Sequence, residues 1–350
     1  MPSDPGPSDP GPSDAGPAPP PDVLDVSVHA AILAVIIADF LDGIPKAAVP
    51  RCYLLGGQPG AGKTALRKAI EQALGETKPV LVDPDELRIY HPGYVDFVED
   101  NPLTAASRTH AEAAAWADEL RMAALERGVN VIVDGTLRSP EWAVQMAMDA
   151  HAAEGGYAVE VHAVAVPLEV SRQGVRGRLE ASFAAQTDET IPRDERPLPR
   201  TVPDNIQLDA YNGLPASIEA LSRSGLVARV CVATRDGTAL ADLHGQVNVK
   251  AAADFDPNPF GGALRHERDR PWTGEEIEAY QERAQTILSQ MQARLERAQG
   301  PARGALAQEM EAERAGMAGV AAGQTDKALA AACTEWVRRV LECEPGGSGA

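Results

Sequence analysis

The residues best suited to chemistry begin with a glycine-rich loop. The apolar run Cys52–Leu55 has the length of a buried strand, and residues 65–74 have a helical pattern that Gly75 ends. Between them lie eight residues that match the pattern G-x-x-x-x-G-K-[ST]: Gly57, Gln58, Pro59, Gly60, Ala61, Gly62, Lys63 and Thr64. Strand, glycine loop and helix together are the context that a phosphate-binding loop requires.

Such a loop predicts a bound nucleoside triphosphate. Glycines allow backbone N–H groups to turn inward around phosphate oxygens, and the following helix adds the positive end of its dipole. Lys63 is expected to reach the β- and γ-phosphates, and the Thr64 hydroxyl is expected to hold Mg²⁺. ATP and Mg²⁺ are therefore the predicted cofactors.

Acidic residues follow the next predicted strand, Val80–Val82. Asp83 and Asp85 come directly after it, where ligands bind at the carboxyl ends of strands in open α/β sheets. Asp85 could take a proton from an attacking hydroxyl or support Mg²⁺. The sequence Asp-Pro-Asp-Glu equally suits the first turn of a helix, and the residues alone leave both interpretations open.

A third polar cluster follows the β-branched run Val129–Val133. It consists of Asp134, Thr136 and Arg138, and residues 139–140 then suit the start of another helix. A long alanine-rich helix is predicted before this strand, over residues 104–127. Asp134 could contact substrate, or it could support Mg²⁺ without a substrate role.

Arginines are concentrated further along an otherwise acidic chain. Three occur within seven residues of the predicted helix 171–183, the last of them Arg178, and the proline-rich loop 186–203 contains Arg193, Arg196 and Arg200. Arginines over a nucleotide could stabilise a phosphoryl group during transfer. The alternative is a solvated basic face without a catalytic role.

The pattern of elements predicts an α/β fold, a P-loop kinase with a mostly parallel sheet flanked by helices, plus a C-terminal helical extension. Further strands are predicted at 159–166 and 227–232, and a helix at 204–224 with a break at Gly213 and Pro215. An apolar helix at 30–41 is expected in the core. The predicted divisions are a disordered Pro/Ser/Asp/Gly repeat (1–21), a kinase domain (22–250), a linker (251–272), the helical extension (273–344) and a disordered tail (345–350).

The extension is predicted to contain three helices. The first begins with a capping box at Thr273–Glu276, Gly300 and Pro301 precede the second, and Thr325 could cap the third. Its acidic residues and its position suggest either a restraint on the kinase in cis or a packing module without an inhibitory role.

Composition limits the partners and the compartment. A net charge of −19 over 350 residues argues against a broad nucleic-acid or anionic-membrane surface. The run at 30–41 is too short to span a membrane, and the start of the chain lacks the pattern of a signal peptide. The four cysteines have no metal-ligand spacing, so free thiols in a cytoplasmic protein are expected.

The ordered set of motifs resembles the zeta toxin family over residues 30–245. It comprises the 56–64 loop, Asp83-Pro-Asp85 with Arg88, and Asp134-Gly-Thr-Leu-Arg138; Arg178, Arg200 and Ser224-Gly-Leu226 extend it. The resemblance implies a kinase that phosphorylates a sugar hydroxyl of UDP-N-acetylglucosamine and so blocks cell-wall precursor synthesis. It also implies restraint by an epsilon-type antitoxin.

The resemblance assigns roles to individual residues. Lys63 and Thr64 take the ATP and Mg²⁺ positions, and Asp85 takes that of the catalytic base. Arg178 and Arg200 steady the transferred phosphate. The implied substrate contacts are Asp83, Arg88, Asp118, Asp134, Thr136 and Arg138.

Two departures from the family pattern concern the acceptor. Positions 118 and 134 carry Asp where relatives have Glu, and the loop before Arg200 is long enough for Arg193 or Arg196 to replace it. Another small hydroxyl acceptor, such as an antibiotic or a dinucleotide, is therefore an alternative substrate. A nucleotide-dependent interaction protein is the alternative from another class.

Overall fold

The computed structural model describes residues 22–237, 239–244 and 259–321. Six strands form one sheet in the order β2-β3-β1-β4-β5-β6; the first five are parallel and β6 runs antiparallel to β5. The strands are β1 (Arg51–Gly56), β2 (Val80–Val82), β3 (Val131–Asp134), β4 (Ala158–Val164), β5 (Val227–Ala233) and β6 (Ala239–His244).

Helices cover both faces of this sheet, as buried parallel strands require. They are α1 (Val26–Leu41), α2 (Lys63–Leu74), α3 (Pro84–Leu87), α4 (Tyr94–Asp100), α5 (Ala105–Arg108), α6 (His110–Arg127), α7 (Pro140–Ala152), α8 (Leu168–Gln186), α9 (Asp204–Ser224), α10 (Pro259–Asp269), α11 (Gly274–Arg297) and α12 (Gly300–Ala321).

Successive side chains of β1 point to opposite faces of the sheet and so belong to two different core clusters. Cys52 and Leu54 lie in the main cluster, which contains residues of α6, α7 and α9, whereas Tyr53 and Leu55 pack with Ile70 of α2 on the other face. This α/β architecture, with a mostly parallel sheet, flanking helices and C-terminal helices, confirms the predicted fold class.

Strand register brings the polar clusters to one edge of the sheet. β1 lies between β3 and β4, and Leu55 is paired with Asp134. The loop after β1, the acids after β2 and the cluster after β3 therefore emerge side by side. Their proximity is a consequence of parallel strand order.

The predicted helix at 104–127 is interrupted. α5 ends at Arg108 and α6 begins at His110, with Thr109 between them. The reason is Arg88, whose guanidinium donates to the Ala106 carbonyl and, at 3.1 Å, to Thr109 Oγ1. The Arg88 side chain thus occupies the Ala106 carbonyl, which in a continuous helix would accept from the backbone N–H four residues later.

The predicted break at Gly213 and Pro215 is wrong, since α9 continues through both residues. Proline has no N–H for the carbonyl four residues earlier, that of Tyr211. Arg268 of α10 donates to this carbonyl at 2.7 Å. Gly213 has a different purpose: a Cβ there would lie 1.9 Å from the Arg138 carbonyl oxygen, so glycine allows α9 to approach the loop after β3.

Several other expectations concern residues that the structure describes. Helix α10 forms inside the predicted linker, and the edge strand β6 was not predicted. The apolar helix buries one face, with Ile36 and Leu41 inside and Val35 exposed. The capping box before α11 is confirmed.

Other expectations fall outside the described residues: the disordered ends 1–21 and 345–350, and the third helix of the extension. The domain boundaries stay a prediction. Within the described ranges, no helix combines the length and apolarity needed to cross a bilayer.

Candidate active site

The loop between β1 and α2 has the backbone of a phosphate cradle. Three of its glycines have positive φ: Gly57 (153°), Gly60 (82°) and Gly62 (101°). At Gly60 a Cβ would lie 2.0 Å from the Ser171 carbonyl oxygen, and at Gly174 a Cβ would lie 2.5 Å from the Gly60 carbonyl oxygen. The loop thus rests directly on the backbone of α8, and glycine is needed on both sides of the contact.

Gln58 anchors the loop to the protein interior. Its side chain is fully buried, its Nε2 donates to the Val166 carbonyl at 3.2 Å, and its Oε1 accepts from Arg268 at 3.0 Å. Gln207 of α9 donates to the neighbouring Pro59 carbonyl at 2.9 Å. Buried polar groups are thereby satisfied, and the segment after β4, together with α9 and α10, holds the loop in place.

Lys63 points across the mouth of the loop. Its Nζ donates to the Gly57 carbonyl at 3.0 Å and lies 3.6 Å from Asp134 Oδ1. Thr64, in the first turn of α2, is exposed. The lysine therefore connects the cradle to the carboxyl end of β3, and the threonine hydroxyl is accessible beside it.

Asp85 lies between two arginines. Arg88 Nε donates to Asp85 Oδ1 at 3.0 Å, and Arg200 Nη1 lies 3.6 Å from Asp85 Oδ2. Asp83 is the residue that caps α3, since its side chain accepts from the Asp85 backbone N–H at 2.9 Å. The helix cap is therefore made by Asp83, and Asp85 contacts the arginines.

The surroundings of Asp83 and Asp85 shift the pKa values of the two carboxyl groups in opposite directions. Burial, followed by repulsion from Asp134 and Asp85, raises the pKa of Asp83 to about 7. Burial also opposes ionisation of Asp85, but Arg200, Arg88 and Arg178 outweigh it, and the pKa of Asp85 is lowered. Asp85 is therefore ionised at neutral pH and can accept a hydrogen bond from a hydroxyl.

Arg178 of α8 belongs to the same electrostatic group. Loss of solvent and repulsion from Arg200 lower its pKa, while Asp85, Asp83 and Asp134 oppose this shift. Arg178 therefore lies within electrostatic reach of Arg200 and of the three acids.

The loop after β3 completes this side of the site. Leu137 has φ 48°, a left-handed conformation that leucine rarely adopts, and its buried side chain packs near Gly56. Thr136 is half-buried and Arg138 is exposed. Burial, followed by repulsion from Arg88 and Arg138, lowers the pKa of His110, so this histidine of α6 lies near the two arginines.

Two residues predicted as candidates for the site, Asp118 and Arg196, make structural contacts elsewhere. Asp118 accepts from Arg121 on its own helix at 2.6 Å, and Arg121 also bonds Asp149 of α7 at 2.8 Å. Arg196 donates to the carbonyls of residues 186, 188 and 191, which closes its own loop. Arg200, not Arg196, is the arginine beside Asp85.

Sequence reasoning missed Gly174, His110 and Arg268 as parts of the site. A glycine inside the arginine-bearing helix was a usable signal of close backbone approach. Arg268 had no such signal, because its contacts lie 57 and 210 residues away along the chain.

The fold and the cradle define a P-loop phosphotransferase. A model of the family "Zeta toxin" matches residues 37–245, more than half of the chain. The chain belongs to the zeta toxin family, a family of kinase-type toxins of toxin–antitoxin systems. This confirms the resemblance predicted from the motifs.

Relatives are similar along most of their length. "Toxin zeta" of Enterococcus hirae is 25% identical over 257 residues, which is 73% of this chain and 82% of the relative. "Toxin PezT" of Streptococcus pneumoniae serotype 4 is 26% identical over 208 residues, 59% of this chain and 76% of the relative.

A solved structure shares the fold. It comes from the PezAT chromosomal toxin–antitoxin system of Streptococcus pneumoniae, with a TM-score of 0.60 and 20% identity, and the match covers 77% of this chain and 98% of that one.

Proposed function

We propose that this protein transfers the γ-phosphoryl group of ATP to a sugar hydroxyl of UDP-N-acetylglucosamine and acts thereby as a toxin. The observation that carries the proposal is the position of Asp85, an ionised carboxylate held between Arg88 and Arg200 at the mouth of a phosphate cradle. Nucleotide binding alone does not need such a carboxylate.

Each group has a role in this reaction. The cradle and Lys63 bind the β- and γ-phosphates, and Asp85 orients the acceptor hydroxyl and accepts its proton. Arg178 and Arg200 spread the negative charge of a loose phosphoryl transition state, in which catalysis is mostly positioning and electrostatics. Asp134, Thr136 and Arg138 line the acceptor side, because they follow β3 beside the acids after β2.

Magnesium fits this donor set. The Thr64 hydroxyl is accessible, and mutual repulsion among Asp83, Asp85 and Asp134 favours a cation. Within the described ranges, no three His, Cys, Asp or Glu side chains form a metal cage by themselves. An ion here would share its coordination with the nucleotide phosphates, as Mg²⁺ commonly does, and would neutralise their charge.

The experiment is a direct assay of product. The protein is incubated with ATP, Mg²⁺ and UDP-N-acetylglucosamine, and mass spectrometry is used to look for one added phosphoryl group. Phosphorylated nucleotide-sugar is the expected product. If ATP binds but no product forms, the acceptor is wrong, and an antibiotic or a dinucleotide becomes the next hydroxyl compound to assay.

Asp85→Asn is the control variant, because it keeps the size and removes the charge. It should reduce turnover by about 10²–10⁴ while ATP binding persists. Lys63→Ala should lose phosphoryl transfer as well and weaken ATP binding. An Asp85→Asn protein that retained its toxicity without turnover would favour the nucleotide-dependent interaction protein instead.

We also propose an antitoxin partner, since the similar PezT toxin comes from a toxin–antitoxin system. Co-expression with the gene adjacent to the toxin gene should suppress toxicity and yield a complex that co-purifies. Toxicity unaffected by that gene product would remove this part of the proposal.

A further inference from the structure

The order of the strands determines the direction in which a bound nucleotide would extend across the sheet. The acids that face the transferred phosphoryl group follow β2 and β3, and the cradle follows β1. With its γ-phosphate toward Lys63 and Asp134, a nucleotide must extend its other end in the opposite direction along the strand order. That direction leads to the carboxyl ends of β4 and β5.

Arg235 lies at that end. It follows β5 by two residues, and its side chain is packed against Gly62, the residue before Lys63. Its Cγ and Nε lie 3.0 and 3.3 Å from the position that a Cβ on Gly62 would occupy. In the same turn Thr234 donates its hydroxyl to Asp236. The guanidinium therefore lies beside the cradle, on the side away from the acceptor.

The helical extension brings a second arginine to this place. Arg283 of α11 donates from Nε to Gln173 Oε1 at 2.9 Å, and Gln173 Nε2 donates to the Tyr280 carbonyl at 2.8 Å. Gln173 adjoins Gly174, the residue in contact with Gly60 of the cradle. Arg283 is thus tied to the part of α8 that supports the loop.

The two guanidinium groups repel each other. Loss of solvent, and then Arg283, lower the pKa of Arg235. Among the residues that the structure describes, no carboxylate forms an ion pair with Arg235. Arg235 is exposed at the surface. A planar cation that is accessible, partly desolvated and not paired with a described carboxylate is suited to the face of an aromatic ring.

We propose that Arg235, with Arg283 beside it, binds the base end of the nucleoside triphosphate, and that Arg235 stacks on the base. This inference rests on the proposed kinase function and names a further part of the same site. It gives the extension a share in nucleotide binding, beyond either a restraint or simple packing.

The test compares two ligands on the full-length protein by calorimetry in the presence of Mg²⁺: ATP, and inorganic tripolyphosphate, which lacks a base. Arg235→Gln should weaken ATP binding by about three- to tenfold, the range expected for one cation–π contact, and leave tripolyphosphate binding unchanged. Arg235→Lys should lose less ATP affinity than Arg235→Gln without keeping it all, because lysine keeps the charge and a cation–π contact but has no planar face to stack. Arg283→Gln should weaken ATP binding to a smaller extent.

The matched control is Arg297→Gln. Arg297 is on the same helix as Arg283, but its Nη1 donates to Thr187 Oγ1 at 3.3 Å. The variant protein should bind both ligands as the unmodified protein does. An Arg235→Gln protein that is folded by circular dichroism and has unchanged ATP affinity would overturn the inference. Equal losses for ATP and tripolyphosphate would also overturn it, since they would indicate a phosphate contact. Failure of the unmodified protein to bind either ligand would instead refute the proposed function.

Discussion

The two aspartates at the end of β2 show how neighbours decide what a residue does. Asp83 and Asp85 are two positions apart, yet one caps a helix among other carboxylates and the other lies between arginines. The same side chain therefore has a raised pKa at one position and a lowered pKa at the other. This separation assigns the role of base to Asp85 in the proposed reaction.

Asp83 should make the stability of the protein depend on pH. Its folded pKa of about 7 lies above its ordinary value of 3.8, so the folded state holds a proton that the unfolded state has released. Stability is therefore lost as pH rises from about 4 to about 7. Asp83→Asn keeps an acceptor for the Asp85 N–H and removes the ionisation.

The measurement is urea unfolding of both proteins at pH 4.5 and pH 7. The variant should gain stability over the unmodified protein as pH rises, so that the difference between them is larger at pH 7. A difference that is constant across this range would mean that Asp83 is not buried among the neighbouring carboxylates.

Much of the site could be predicted from the sequence because its residues follow strands. The cradle and the clusters at 83–85 and 134–138 each directly follow an apolar run, and parallel strand order is enough to bring them together. The helix-borne Asp118 is different. Its partner Arg121 is one turn away on the same helix. The contact of Arg121 with α7 depends on tertiary packing, which a single sequence does not specify.

Among the elements, α8 has the closest contact with the cradle. Gly174 faces the Gly60 carbonyl, whereas a Cβ at Gly177, one turn later, would lie 3.6 Å from Ile287. The first position has no space for a side chain and the second has ordinary van der Waals distance. This contrast provides a matched pair of substitutions.

Gly174→Ala should displace the loop, because its methyl group would lie 2.5 Å from the Gly60 oxygen. We expect ATP affinity to fall by at least about tenfold, the equivalent of 1.4 kcal/mol. Gly177→Ala should leave ATP affinity unchanged and stabilise the helix by up to about 1 kcal/mol. Calorimetry and thermal unfolding measure the two effects, and equal ATP affinity in both variants would contradict the expected clash.

Helix α10 stabilises two distant elements through one side chain. Arg268 donates to the Tyr211 carbonyl, which Pro215 leaves without its helical partner, and to Gln58 Oε1 in the loop. Its guanidinium also lies 3.9 Å from the centre of the Tyr211 ring. An element in the predicted linker is in this way connected to the phosphate cradle.

Arg268→Met should leave two buried acceptors without a donor. Each such loss costs about 1–3 kcal/mol, and the freed Gln58 should also weaken ATP binding. Arg265→Met is the control, because Arg265 lies exposed on the same helix and should be close to neutral. Urea unfolding and ATP titration together test this, and an Arg268→Met protein of normal stability would show that the loop does not depend on α10.

The break that did not occur in α9 explains why element boundaries are harder to predict than strands. Glycine and proline ordinarily end helices, and the sequence around residue 213 was interpreted in that way. Here the glycine accommodates the Arg138 backbone and the proline's missing bond is replaced by Arg268. Both compensations come from segments far away in sequence.

At the scale of the whole molecule, the extension packs on the side of α8 that carries Arg176 and Glu180. Arg176 bonds Glu309 of α12 at 2.8 Å, and Arg294 of α11 bonds the fully buried Glu180 at 2.7 Å. Mainly through burial, the pKa of Glu180 is raised to about 7. Arg178 is two residues from Glu180, which places it on the other side of the helix.

A chain that ends after Pro271 should therefore lose stability without gaining activity. It would remove the partners of Arg176 and Glu180 and expose the face of α8 that α11 and α12 cover. Thermal unfolding and the phosphoryl-transfer assay provide the readouts. A truncated protein that was folded and more active than the full chain would instead establish the extension as a restraint in cis.

The two sides of α8 have a pharmacological consequence. Since one helix carries Arg178 toward the site and Glu180 toward α11, a compound that wedges between α8 and α11 would displace Arg178 as well. A compound in that seam would also disturb the cradle, because Gly174 of the same helix contacts Gly60. It would therefore lower both the rate of transfer and the affinity for ATP, which is the kinetic signature of mixed inhibition.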